Sequence, residues 1–130
     1  MFTPSRDRGA AAVEFALVLP ILLLLVLGIL EFGRAYHVQT ILSNAARDGV
    51  RVMALQDSAA AAIAAAETSA SPLDLANADI VVTPTTGCSS ALTGAGLASV
   101  TIKYPFSLVS GFLPIDDLTL TGKGTMRCFG

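Results

Sequence analysis

Apolar and polar residues alternate with different periods in different parts of this chain. From Ala10 to Leu30 the residues are almost continuously apolar, with Glu14 the one charge. At ~1.5 Å per residue, a helix over that run is ~30 Å long, the thickness of a bilayer's hydrocarbon core. The pattern predicts a membrane-spanning helix over 10–30. The competing reading is a buried core helix, but the residues after Ala66 are too few to wrap it. From residue 31 the period becomes that of an amphipathic helix. On a wheel of 100° per residue, Phe32, Ala35, Val38, Leu42, Ala45, Ala46, Gly49, Val50 and Met53 share one side. His37, Thr40, Asn44, Arg47, Asp48 and Arg51 share the other. Gln39 and Ser43 interrupt the apolar arc. The seam residues Phe32, Ala35, Leu42, Ala46, Gly49 and Met53 are mostly small, which suits close helix packing. Ser58–Ala66 is nearly all alanine, the best helix former, so the helix is expected to continue without a break. Pro72 ends this segment, taken as residues 31–71.

Beyond Pro72 the period falls towards two. Asp79–Thr83 is a β-rich run closed by Pro84, and Thr85–Gly96 reads as a loop. Val100-Thr101-Ile102-Lys103-Tyr104 alternates cleanly until Pro105, which is expected to end the strand. Leu118-Thr119-Leu120-Thr121 alternates again, and its parity continues through Gly122, Gly124, Met126 and Cys128. Leu118, Leu120 and Cys128 should therefore share the buried face. The expected fold is α+β: a long N-terminal helix and a small three-stranded antiparallel head over 72–130, the sheet packed on the helical seam. Three strands are near the minimum for independent stability.

Charge orients the chain. Residues 1–9 carry Arg6 and Arg8 against Asp7, whereas Glu31 and Arg34 balance on the far side. The positive-inside rule leaves the N-terminal flank in the cytoplasm and the head outside. A cleaved secretory signal fits the basic flank. However, the apolar run is long for an h-region, contains Glu14, and is followed by no clean small-residue site; Gly33-Arg34-Ala35 is the nearest. Net charge is −2 with no basic run, which argues against nucleic acid as a partner. Cys88 and Cys128 lie 40 positions apart. Outside the cytoplasm they can pair, and a loop of that size gains ~3–4 kcal/mol from closure in the chain-entropy model. Two buried free thiols are the alternative.

No catalytic constellation is present. His37 is the single histidine and falls on a polar helical face; Asp116-Asp117 reads as a turn; two cysteines without a nearby histidine make no zinc site. Neither an enzyme nor a cofactor is expected. The unusual residue is Glu14, because a carboxylate within a span costs several kcal/mol unless neutralised or paired. Snorkelling to the cytoplasmic edge is one solution. A cut between Gly9 and Ala10 offers another: the new α-amino group would lie one helical turn before Glu14, able to pair with it within one chain or between neighbours.

The run Arg8-Gly9-Ala10-Ala11-Ala12-Val13-Glu14-Phe15 resembles the prepilin peptidase site of type IV pilin-like proteins. The resemblance implies cleavage after Gly9 and makes Glu14 fifth in the mature chain. Glu14-Phe15 is similar to the Glu-Tyr pair of Flp-type pilins. Gly9–Pro20, Phe32-Gly33 and Ala45-Ala46-Arg47-Asp48-Gly49-Val50-Arg51 together resemble the TadE-like family, minor pilins or pseudopilins of the Tad (Flp) tight-adherence pilus system. The likeness covers about residues 8–55. Beyond it only Tyr104-Pro105-Phe106 and Met126-Arg127 are similar. Pro20 departs from major type IV pilins, whose helix-kinking proline lies deeper in the span. The family implies a precursor in the bacterial inner membrane that a prepilin peptidase trims, with or without N-methylation. Its implied partners are that peptidase, other minor pilins, the major Flp-type pilin, the inner-membrane assembly platform and the bilayer. Two other functions compete: an uncleaved, membrane-tethered module that binds an envelope ligand, and a small secreted protein freed by signal peptidase.

Overall fold

The computed structural model describes residues 5–75, 78–91, 96–109, 111 and 118–129. Its elements are helix α1 (Ser5–Gln56), helix α2 (Ala59–Ser69), strand β1 (Asp79–Thr83), a short 3-10 turn at Cys88–Ala91, strand β2 (Leu97–Phe106) and strand β3 (Leu118–Arg127). This is the expected α+β layout. The chain divides into two compact units, one reaching Gly33 and one starting at Arg34.

In the first unit α1 carries an almost unbroken apolar surface. Val13, Phe15, Leu17, Val18, Ile21 to Val26, Ile29 and Leu30 are all exposed. Among the described residues, α1 is the one helix long and apolar enough to cross a membrane. Pro20 lies inside it.

The second unit is the head. Its sheet has the order β1-β2-β3, antiparallel throughout. Val82 pairs with Val100, Val100 with Gly124, and Ile102 with Gly122, so even-numbered positions share one face. On that face Val82, Ala98, Val100, Ile102 and Phe106 are buried. Leu42, Ala45, Ala46, Val50 and Met53 of α1 complete the core, together with Ala62, Ala66 and Ala70 of the following segment. Helix and sheet approach closely because β3 has no side chains where they meet. A Cβ on Gly122 would clash with the Leu42 carbonyl oxygen, and one on Gly124 would lie 2.6 Å from that of Ala46. Gly49 similarly faces the Ala62 carbonyl, the Ala66 methyl and Val100.

Several expectations need correction. The helix read across residues 31–66 breaks after Gln56. Asp57 adopts a left-handed φ of 53° while its N–H still bonds the Met53 carbonyl at 3.1 Å. Ser58 then caps α2, accepting from the Ala61 N–H at 3.3 Å. The break lets Ala62 and Ala66 bury their methyls beside Gly49, where a larger residue would not fit, and lets the Ser69 hydroxyl donate to Asp48 Oδ2 at 2.5 Å. Burial thus outweighs the alanine run's propensity to stay straight. Pro105 does not end β2, which runs on to Phe106. β1 pairs only as far as Lys103, so the proline lies where β2 has β3 alone as neighbour. Leu118 and Met126 have the inward parity but remain exposed, because α1 covers only the middle of β3, at Gly122 and Gly124. Leu120 and Cys128 are partly buried against the core. Gln39, out of place in an apolar arc, donates from Nε2 to the Thr121 carbonyl at 2.7 Å on the sheet-edge strand. Asp116-Asp117 and residues 92–95 of the expected loop lie outside the described residues.

Gly124→Ala forces its new methyl against helix backbone, so α1 must move off the sheet. A loss of ~1–3 kcal/mol is expected, as for other overpacked cores. Gly33→Ala, whose methyl meets nothing within 4 Å, is the control and should not destabilise, since alanine favours the helix interior over glycine. The check is the urea midpoint of the detergent-solubilised chain, read by proteolysis of the unfolded head.

Candidate functional site

The residues expected from the sequence to carry a processing motif lie on the first turns of α1. Gly9, Ala10, Glu14 and Phe15 are helical and exposed, Phe15 at 64%. A Cβ on Gly9 meets nothing within 4 Å. Glycine costs a helix interior ~1 kcal/mol relative to alanine, and no packing within this chain requires it there. Among the described residues Glu14 has no hydrogen-bond or ion-pair partner. The first turns of α1 therefore present a backbone unobstructed at Gly9 and, one turn after Ala10, an unanswered carboxylate.

The packing seam divides at the boundary between the units. Leu42, Ala46, Gly49 and Met53 are buried in the head and Ala35 packs partly against its core. Phe32 does not share that environment and is 75% exposed. It lies at the edge of the arc and precedes the first residue of the head unit.

The far end of the head is held by a cross-link and a carboxylate. Cys88 and Cys128 form a disulfide with Cα atoms 5.5 Å apart. Cys88, at the start of the 3-10 turn, is fully buried. Next to it, Asp57 Oδ1 accepts the Ser89 N–H at 2.8 Å. The Ser89 N–H and hydroxyl, with the Cys88 N–H, hold the Asp57 carboxyl below the usual aspartate range. Gly87 has φ of +146°, and a Cβ there would lie 2.6 Å from Asp57 Oδ1. Asp57 thus both turns the chain between α1 and α2 and holds the loop that carries Cys88. Sequence reasoning passed over this residue, although Asp57-Ser58 ahead of an alanine run is helix-capping chemistry.

The beginning of the head contains a cleft of about 260 Å³ lined by Arg34, Val38, Leu73, Tyr104, Pro105, Phe106 and Ser107. The Arg34 guanidinium lies 4.4 Å from the Phe106 ring centroid and donates to the Ser107 carbonyl. His37 is exposed on α1. Among the described residues no cluster of three histidine, cysteine or acidic side chains could hold a metal ion.

The described residues thus comprise an apolar helix long enough to cross a bilayer and a small disulfide-bonded α+β head. Residues 9–51 of the chain match the family model described as TadE-like protein, the family that the sequence resembles. That family is a structural, pilus-associated one. No curated protein and no solved structure matches the chain.

Asp57 makes head stability depend on acid pH. Its folded pKa is depressed, so its contribution is complete above the unfolded value of about 4 and is lost as pH falls through the lower folded value. Asp57→Asn keeps a residue that tolerates left-handed backbone but removes the charge. The expected outcome is a variant less stable than wild type at pH 7, with the difference narrowing towards pH 3. Urea midpoints across that range are the measurement; a constant difference would assign the loss to shape alone.

Proposed function

We propose that this chain is a minor pilin, or pseudopilin, that takes part in assembling a Tad (Flp) pilus after a prepilin peptidase cuts between Gly9 and Ala10. The observation that carries the reading is the family match, which begins at Gly9 and runs to residue 51. Two physical features support it. Gly9 has open space around it and no packing need for a missing side chain, which suits a backbone that must enter a peptidase. Glu14 carries a charge that no described residue answers, and the amine exposed by the cut would lie one turn away.

In the mature protein, Glu14 would pair with the N-terminal amine of its own chain or of a neighbour. Pairing between neighbours sets the axial stagger of packed helices. Phe15 and the apolar surface that follows would supply the contact with lipid or with adjacent pilins. The head would lie outside the bacterial inner membrane, a placement supported by the basic N-terminal flank and by the cysteine pair, since disulfides persist in oxidising compartments. The partners in this reading are the prepilin peptidase, other minor pilins, the major Flp-type pilin and the inner-membrane assembly platform.

The intact mass of the membrane-purified protein tests the proposal. A mature chain beginning at Ala10 is expected; one retaining Met1 would indicate the uncleaved tether, and one beginning near Tyr36 the secreted form. Gly9→Val should leave the full-length precursor in the membrane. Glu14→Gln should still be cut but fail to co-purify with pilin partners, because removing one member of a pair in low dielectric costs ~3–5 kcal/mol. Wild-type assembly by Glu14→Gln would reduce Glu14 to a snorkelling side chain.

A further inference from the structure

The outer face of the sheet belongs to neither the head's core nor the motif at Gly9 to Glu14. Even-numbered strand positions turn towards α1, so the odd-numbered ones turn outwards. The register sets these in rows across the strands. Thr83, Ser99 and Thr125 make one row, Val81, Thr101 and Lys123 the next, and Asp79, Lys103 and Thr121 a third. Thr119 follows beside Pro105, and Arg127 beside Leu97 closes the other end. The threonines of β1 and β3 are exposed, and Ser99 and Thr101 are half-buried between them.

Charge on this face is mostly of one sign. Lys103, Lys123 and Arg127 are exposed and outnumber Asp79, in a chain whose net charge is −2. Among the described residues none of these four makes an ion pair, not even Asp79 with Lys103 opposite it in register. With strands ~4.8 Å apart and a rise of ~3.4 Å per residue, the Cα atoms of Lys103 and Lys123 lie ~8 Å apart, and that of Arg127 ~14 Å beyond Lys123. Three unpaired cations strung over ~20 Å match charges repeated along a polymer better than one compact anion.

What lies between the cations decides which polymer. Protein hot spots are built on large anchors such as Trp, Tyr and Arg seated in pockets, and serine and threonine are under-represented there. Single-stranded nucleic acid stacks its bases on aromatic rings, and no odd-numbered strand position carries one. Val81, Leu97 and Pro105, the apolar residues of the face, lie in separate rows. Hydroxyls, by contrast, each donate one hydrogen bond and accept two. β-Branching restricts χ1 of threonine, so little rotamer freedom is lost when it binds. A sugar polymer with uronate groups presents the matching set, hydroxyls throughout and carboxylates at intervals.

We propose that the outer sheet face binds an acidic polysaccharide, its carboxylates meeting Lys103, Lys123 and Arg127 and its hydroxyls meeting the row of Thr83, Ser99 and Thr125. The inference concerns the head alone and does not depend on a cut after Gly9.

The test measures binding of the full chain, in detergent micelles, to immobilised polygalacturonate, dextran, poly-glutamate and oligothymidylate. Polygalacturonate should be retained best, and less as salt is raised. Lys103→Gln combined with Lys123→Gln should weaken its binding about tenfold, the loss of two exposed ion pairs. Arg47→Gln combined with Arg51→Gln removes the same charge from the exposed side of α1 and should leave binding unchanged. Thr125→Val should weaken polygalacturonate about fivefold, as for one lost hydrogen bond, and leave poly-glutamate unaffected. Equal retention of poly-glutamate or oligothymidylate would show a face that reads charge alone and would overturn the proposal. Equal retention of dextran would remove the role of the cations, and an equal loss in the α1 double variant would assign binding to net charge; either overturns it. The comparison among polymers needs wild type only, so it decides even where a variant fails to fold. A chain that retains Met1 yet prefers polygalacturonate would defeat the processing reading and leave this inference standing.

Discussion

The head is organised by one close approach, that of β3's backbone to the backbone of α1. At Gly122 and Gly124 the strand presents no side chain, and the carbonyls of Leu42 and Ala46 occupy the space a Cβ would need. With helix and sheet so close, Val100 and Ile102 reach the α1 surface directly, and the core closes mostly with alanines and medium-sized aliphatics, with Phe106 a buried aromatic among them. The same economy of side-chain volume recurs at Gly49, where α2 meets α1 through Ala62 and Ala66. A core of this kind gains its dispersion energy from short distances between many small groups. It tolerates added volume poorly, since the atoms that must give way are backbone atoms.

Much of this was legible in the sequence because it rests on local periodicity. The apolar run, the stripe from Ala35 to Met53 and the alternation at Val100–Tyr104 each follow from a repeat of 3.6 or 2 that one side of an element imposes. The inward parity of Gly122 and Gly124 was legible too, though not their purpose, since glycine's contribution here is the absence of a group. The break at Asp57 was missed because the alanines beyond it favour helix regardless of direction, and only packing against Gly49 decides which way that helix runs. Phe32, Leu118 and Met126 were misjudged for a related reason. Periodicity gives the side of an element but not how far along it a partner extends. Gln39 looked like a flaw in the stripe until Thr121, 82 residues away, supplied its acceptor.

The two parts of the candidate site differ in kind. Gly9, Ala10 and Glu14 form a linear motif, recognisable without a fold because its residues lie within six positions of the chain. The Arg34 cleft is assembled from α1, from Leu73 after α2 and from the end of β2. No spacing announces it. The family match ends at residue 51, before α1 does, so it covers the motif and most of the seam but none of the sheet. The matched segment therefore contributes the helical side of the head's core, and the sheet that packs on it, through Gly122 and Gly124, lies outside the match.

The contact between Gln39 and Thr121 also has a consequence in time. Ribosomes add ~5–20 residues per second, so a separation of 82 residues corresponds to roughly 4–16 s between the synthesis of one partner and that of the other. Throughout that interval α1 exists without β3, and the stripe through Leu42, Ala46 and Met53 lacks the strand that completes its cover. Helices form in microseconds or less, so the exposed stripe is already an ordered amphipathic surface while it waits. The nascent head must therefore pass through a stage in which its most buried residues are its most adhesive ones, and the arrival of two residues with no side chains ends it.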